Sequence, residues 1–211
     1  GKMISYKEFE WYENGQKSSE ITYKDNIIRD GLHTSWYENG QKSYEGTYKN
    51  GKEDGLWTEW HENGQKEVEG TFKDGEKDGL WTEWHENGQK RKELTYKDGE
   101  LDGVAIAWFK NGQKNLEGNF TNGIENGLHI RWYENGQIKY EGTYKNGNGK
   151  GTYWSPNGKE SSELIFKDGE PYNGKEIYWL ENGQNIQLFY NNGKKNSKAT
   201  YKNGKKDGLC I

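Results

Sequence analysis

Chemistry in this 211-residue chain would have to come from four histidines, a file of glutamates, one cysteine and a file of tryptophans. His61 and His85 occupy one position of a repeating unit, and His33 and His129 occupy another. If that unit is a pair of strands, equivalent residues of adjacent repeats lie about 9.6 Å apart. That is too far to share a metal whose ligand bonds are about 2 Å long. The histidines therefore read as surface or cross-strand residues, and no metal or cofactor is expected. Paired catalytic carboxylates must stand within roughly 5–9.5 Å of each other, in environments that push their pKa values apart. Glu20, Glu45, Glu69, Glu93, Glu117, Glu141 and Glu163 recur in equivalent surroundings and cannot be differentiated in that way. Cys210 has no histidine within its own repeat to activate it, and the glycines lack the strand–loop–helix context of a phosphate cradle. No enzyme signature is present, and the chain reads as non-catalytic.

The elements that place these residues follow from their spacing. A turn signal, mostly Asn-Gly, recurs at Asn14, Asn39, Asn63, Asn87, Asn111, Asn135, Asn157 and Asn182, at intervals of 22 to 25 residues and most often 24. A tryptophan precedes each by three residues: Trp11, Trp36, Trp60, Trp84, Trp108, Trp132, Trp154 and Trp179. Nine residues after the first seven comes an aromatic ring: Tyr23, Tyr48, Phe72, Tyr96, Phe120, Tyr144 and Phe166. Columns aligned in this way define a repeat.

Residues 55 to 79 show its content. Two alternating runs rich in Trp, Thr, Val and Phe flank Glu62-Asn63-Gly64, and a second Gly-bearing turn, Lys73 to Asp78, leads to the next run. Alternating runs joined by Asn-Gly predict a β-hairpin. Two strands in 24 residues leave no room for a helix. The expected fold is all-β: an elongated, single-layer antiparallel meander of about eight stacked hairpins, forming one array over residues 1–211. An isolated hairpin is marginal in water, so stability must come from stacked neighbours.

Turn length decides which side chains share a face. A three-residue Glu-Asn-Gly loop with a bulge pairs His61 with Gln65 and is preferred to a two-residue turn. Leu56, Thr58 and Trp60 are then expected to share an apolar face with Val68, Gly70 and Phe72, with the tryptophan column as core. Gly46, Gly70, Gly118 and Gly142 leave room there for neighbouring rings to lie over bare backbone. Trp57 and Trp81 fall at odd parity and are expected on the opposite, polar face. With Glu59, His61, Glu83 and His85 they form the candidate partner-binding surface.

Composition narrows the function classes. Aromatic residues make up 15% of a chain that is 30% charged and 29% hydrophobic, which is too many rings for a disordered polymer. The net charge of -4 argues against a general nucleic-acid binder. No apolar run is long enough for membrane insertion, and the compartment stays open. Regularity decays over residues 185–211, where Tyr190 follows Asn182 at eight residues and six lysines against Asp207 give +5. Such charge protects a sheet edge from pairing.

The segment Tyr48-Lys49-Asn50-Gly51-Lys52-Glu53-Asp54-Gly55-Leu56-Trp57 resembles a MORN repeat, in its bacterial variant class with a Tyr-Glu-Asn-Gly-Gln turn such as Tyr37 to Gln41. The resemblance spans nearly the whole chain. It implies a single-layer sheet of hairpins and a binding role, either as an antitoxin or immunity component of a polymorphic-toxin module or as a surface or scaffold protein. The family's Gly-x-Gly pair stands clearly only at Gly149-Lys150-Gly151, so membrane-linked roles transfer poorly. A protein partner follows, such as a basic toxin domain, with end-to-end self-association through open sheet edges as the alternative. Circular dichroism is expected to show β structure with aromatic bands and less than a few turns of helix.

Overall fold

A computed structural model of the chain describes residues 5–24, 30–158, 160–179, 184–202 and 205–210; at 160–162, 178–179, 197 and 205–210 it describes the backbone alone. The lysine-rich tail beyond residue 202, with Cys210 and the Trp179 side chain, therefore lies outside the described side chains. Among the described residues there are nineteen strands and no helix. The chain divides into two compact units, residues 1–102 with 110–112, and residues 103–109 with 113–211.

The first unit is a meander of β1 (Ser5–Trp11), β2 (Lys17–Lys24), β3 (Gly31–Trp36), β4 (Lys42–Lys49), β5 (Lys52–Trp60), β6 (Lys66–Lys73), β7 (Glu76–Trp84) and β8 (Lys90–Lys97). Each strand pairs antiparallel with the next. β9 (Glu100–Trp108) continues the chain into the second unit, where it pairs with β10 (Lys114–Thr121). The short β11 (Ile124–Glu125) and β12 (Gly127–Trp132) both pair with β10. From there β13 (Ile138–Lys145), β14 (Asn148–Trp154), β15 (Glu160–Lys167), β16 (Glu170–Trp179), β17 (Gln184–Asn191), β18 (Lys194–Lys202) and β19 (Lys205–Cys210) follow in chain order. The all-β antiparallel meander expected from the spacing is the observed fold.

Two turn types alternate along the chain. In the tight turn, the Gly64 N–H donates to the His61 carbonyl at 2.8 Å and the His61 N–H to the Gln65 carbonyl at 2.9 Å. This is the three-residue loop expected from the sequence, and Gly64 takes the left-handed φ of 82° that its last position requires. The other turn has positive φ at two consecutive residues, such as Asp74 at 53° and Gly75 at 91°, which matches the twist of the flanking strands.

The face assignment is corrected by a second irregularity. Trp60 lies opposite Lys66, but Glu59 lies opposite Val68, so Glu67 is an extra residue in β6. The same slip recurs beside Trp11, Trp36, Trp84, Trp132 and Trp154. A one-residue bulge carries every following side chain of its strand to the other face. Gly55, Trp57 and Glu59 consequently share a face with Phe72, Gly70 and Val68. Leu56 and Thr58 share the opposite face with Thr71 and Glu69, and Trp60 lies there opposite Lys66. Hairpin β16–β17 has no such bulge, and Gly174 still faces Tyr190. The eight-residue interval from Asn182 to Tyr190 is thus one bulge residue shorter.

The tryptophan column is therefore not the core. Trp60, Trp84 and Trp108 are half-buried and Trp11 is 62% exposed, whereas Trp81, expected on a polar surface, is 3% exposed. The order of sensitivity follows: Trp81→Ala is expected to lower the denaturation midpoint more than Trp60→Ala. Loss of a buried ring of this size costs about 3–5 kcal/mol. Chemical denaturation of the two variants, followed by circular dichroism, checks the order.

Candidate functional site

One face of the sheet is built from rings laid over glycines. In the first unit its central row runs Ile21, His33, Gly46, Trp57 and Gly70 through cross-strand pairs, then Trp81 opposite Leu94. A Cβ on Gly46 would overlap the Trp57 ring, and one on Gly70 the Trp81 ring. Removing the side chain lets each ring lie on the backbone itself. Flanking rings meet these edge to face: Tyr48 with Trp57 at 6.0 Å, Trp57 with Phe72 at 5.5 Å, Phe72 with Trp81 at 4.8 Å and Trp81 with Tyr96 at 6.4 Å. Such pairs add about 0.5–1.5 kcal/mol beyond the area they bury.

The second unit repeats the plan with a buried histidine. His129 lies over Gly118 and packs edge to face between Phe120 and Tyr144. The Tyr140 ring lies over both Gly142 and Gly151, while a Cβ on Gly149 would meet the Thr143 carbonyl, so the two glycines of Gly149-Lys150-Gly151 are required for different reasons. The Tyr140 and Tyr144 hydroxyls are hydrogen-bonded at 2.5 Å. Burial drives both phenols upward, Tyr144 to about 12.

Of the six residues of the candidate partner surface, Trp57, Glu59, Trp81 and Glu83 lie on this ring face, with an accessibility that differs from expectation. The Trp81 Nε1–H donates to the Thr71 carbonyl at 3.1 Å, and the Trp57 Nε1–H to the Glu59 carboxylate at 2.8 Å. Burial pushes the Glu83 carboxyl up, but Arg91 at 2.7 Å and Lys92 at 3.3 Å outweigh it and hold the group below its ordinary value. The His61 Nε2–H donates to the Trp84 carbonyl of the next hairpin at 3.1 Å. Tyr12, Tyr37 and Tyr133 bond in the same way to the carbonyls of Trp36, Trp60 and Trp154. His61 is thus one member of a hairpin-linking column. His85, in the same column, is also half-buried.

The turn asparagines add a second link. At Asn14, Asn39, Asn63, Asn87 and Asn135 the Oδ1 accepts the N–H two residues on, as Asn63 does from Gln65 at 3.0 Å, while the Nδ2 donates to the next turn, as Asn63 does to Glu86 at 2.8 Å. The turn signal in the sequence is therefore also a hairpin-to-hairpin contact.

The opposite face was not anticipated. Lysines at the start of alternate strands pair with the glutamate three residues on: Lys17 with Glu20 at 2.7 Å, Lys42 with Glu45 at 2.5 Å and Lys114 with Glu117 at 2.6 Å, as well as Lys66 with Glu69 and Lys90 with Glu93. Four of these ammonium groups also lie over the tryptophan of the following hairpin, 5.1 to 5.9 Å from the ring: Trp36, Trp60, Trp84 and Trp132. Beside this charged row runs an aliphatic one. Leu32, Leu56 and Leu80 are 49%, 58% and 56% exposed in the first unit, and Val104 and Leu128 hold the same register in the second. The signals that could have revealed these rows are the recurring Gly-Leu pair and the Lys-x-x-Glu spacing. Among the described residues, no three His, Cys, Asp or Glu side chains come together to hold a metal.

This arrangement defines a hairpin-repeat protein. The MORN repeat variant matches residues 7–25, 29–50, 53–74, 77–98, 125–146 and 186–203, more than half of the chain, and the MORN repeat matches 69–80 and 140–160. The chain belongs to the MORN-repeat family. Repeats of this family generally mediate binding to proteins or membranes, and proteins built from them are typically non-catalytic. No curated protein matches the chain.

The buried phenols generate a pH prediction. A phenol raised above its ordinary value of about 10 stays neutral in the folded chain but ionises once the chain unfolds. Its contribution to stability is complete below pH ~10 and is lost as the pH rises towards 12. Spectrophotometric titration is expected to show a class of tyrosines ionising above pH 11. Tyr144→Phe is expected to shrink that class.

Proposed function

We propose that residues 1–211 form one non-catalytic protein-binding repeat module, and that the contact face is the one bearing Leu32, Leu56 and Leu80. The observation that carries this reading is the exposure of these three side chains, about half or more in each case, on a rigid strand scaffold. Equivalent residues recur every second strand, so a partner meets the same apolar contact in steps of about 9.6 Å. A row of exposed apolar groups bordered by charged ones has the make-up of a protein contact. The net charge of -4, with -9 carried by residues 1–189, favours a basic partner and speeds encounter at low salt. A basic toxin domain has this chemistry, so the antitoxin or immunity role implied by the family resemblance is the narrower form of the proposal.

The alternative contact surface is the patch of Trp57, Glu59, His61, Trp81, Glu83 and His85. The half-buried Glu59 and His61 favour it, and the burial of Trp81 weighs against it. A photo-crosslinking residue placed in turn at Leu56, Leu80 and Glu59, in extracts of the native source, separates the two. The same protein is expected from Leu56 and Leu80, with Leu56→Asp combined with Leu80→Asp weakening its affinity at least about tenfold. Capture from Glu59 alone would transfer the site to the ring face. Cross-links between copies of this chain through β1 would favour a scaffold assembling at open sheet edges.

A further inference from the structure

The lysine–glutamate–tryptophan motif of the regular hairpins is first interrupted at Ile138, in a way that leaves its glutamate and tryptophan in register. In the regular hairpins a lysine ammonium is held between the glutamate three residues on and the tryptophan of the next hairpin. Lys42 does this between Glu45 and Trp60, and Lys114 between Glu117 and Trp132. The strand register that brings glutamate and tryptophan together is constant: Glu45 lies opposite Thr58, two residues before Trp60, and Glu117 opposite Ile130, two residues before Trp132. At the next hairpin the frame is the same, with Glu141 opposite Thr152, two residues before Trp154. The lysine position, however, is Ile138.

Glu141 and Trp154 therefore keep the strand register of the regular hairpins, without the lysine of their own strand. Among the described residues, no ammonium or guanidinium pairs with Glu141 and none lies over the Trp154 ring. The neighbouring Lys139 sends its ammonium to Tyr133 instead, 5.6 Å from that ring. An open groove of about 350 Å³ beside Trp154 is lined by Gln137, Ile138, Trp154 and Gly158; Glu141 stands near it by strand register and is not part of that lining. Both Glu141 and Trp154 are half-buried, which strengthens attraction to a cation relative to a fully exposed pair.

We propose that the groove at Trp154, with Glu141 near it in register, receives a lysine side chain from a partner protein, in the place that this chain's own lysine takes in the regular hairpins. The alkyl stem would pack along Ile138, the ring face would meet the ammonium, and the carboxylate would neutralise it. The inference rests on the protein-binding reading above and gives that partner a specific chemistry at this point: a lysine on its contact surface.

The test uses the full chain labelled with 5-fluorotryptophan, with the Trp154 fluorine resonance identified from a Trp154→Phe variant. N-acetyl-lysine methylamide is added, with its arginine and norleucine counterparts as comparisons. The lysine probe is expected to shift the Trp154 resonance saturably while leaving Trp60, whose slot is filled by Lys42, in place. Glu141→Gln is expected to weaken that response at least about threefold. Ile138→Lys restores the residue that the regular hairpins carry at Lys42, Lys66 and Lys114, should fold normally, and is expected to abolish the response. An equal shift with norleucine, an unchanged affinity in Glu141→Gln, or no shift at all would overturn the proposal, and a stronger arginine response would reassign the occupant. The probe carries no partner surface, so its failure leaves the Leu56 contact reading standing. Loss of cross-linking at Leu56 would equally leave a positive result here intact.

Discussion

An aromatic ring can lie flat on the neighbouring strand only where that strand has no side chain beneath it, and the rest of this structure depends on that steric constraint. Gly46 beneath Trp57, Gly70 beneath Trp81 and Gly118 beneath His129 are the same solution reached in three hairpins. Each ring covers the backbone of an adjacent strand and meets flanking rings by their edges. Burial is thereby obtained within a single layer of strands, with no second sheet or helix packed on it among the described residues. The arrangement also makes each hairpin incomplete alone, because the ring that covers its glycine belongs to the next. The tyrosine and asparagine bonds at the tight turns follow the same rule, each donating forward to the following hairpin. Repetition is thus a condition of folding for this sequence.

A one-layer sheet has two faces, and the chain uses them differently. Rings fill one face until Trp81, Tyr140 and Tyr144 are nearly inaccessible. The other face is stabilised by local ion pairs and by ammonium groups over tryptophan, interactions that tolerate water and leave neighbouring side chains free for contact. Leu32, Leu56 and Leu80 are exposed on that face, and the buried row between them and the tryptophans consists of Thr34, Thr58 and Thr82 paired with glutamates. The packed rings and the exposed leucine row therefore lie on opposite sides of the same strands. Change on the leucine face need not disturb the rings.

The departures from regularity are the informative places. Substituting one lysine by Ile138 leaves its glutamate and tryptophan in register, because the backbone pairing does not depend on the missing side chain. Removing one residue between Asn182 and Tyr190 deletes a bulge, yet the glycine–ring pairing of Gly174 with Tyr190 survives. The repeat thus absorbs changes of side chain and of length while keeping its strand ladder.

The sequence by itself determined the 24-residue period, the two strands and two turns within it, the three-residue tight loop at Glu62-Asn63-Gly64, and the need for glycine under a ring. These are local properties, set by alternation, by left-handed φ at turn residues and by the absence of a side chain. Only the tertiary structure decided which face is which. Glu67 looks like any other polar strand residue, and nothing in its type or neighbours announces that it will be left unpaired. Because side chains alternate with a period of two, that one extra residue moves Val68, Gly70 and Phe72 to the side of Trp57 and leaves Trp60 with Lys66. Whether a strand bulges depends on how rings and lysines pack across three successive strands at once, and that packing does not exist until the hairpins are side by side.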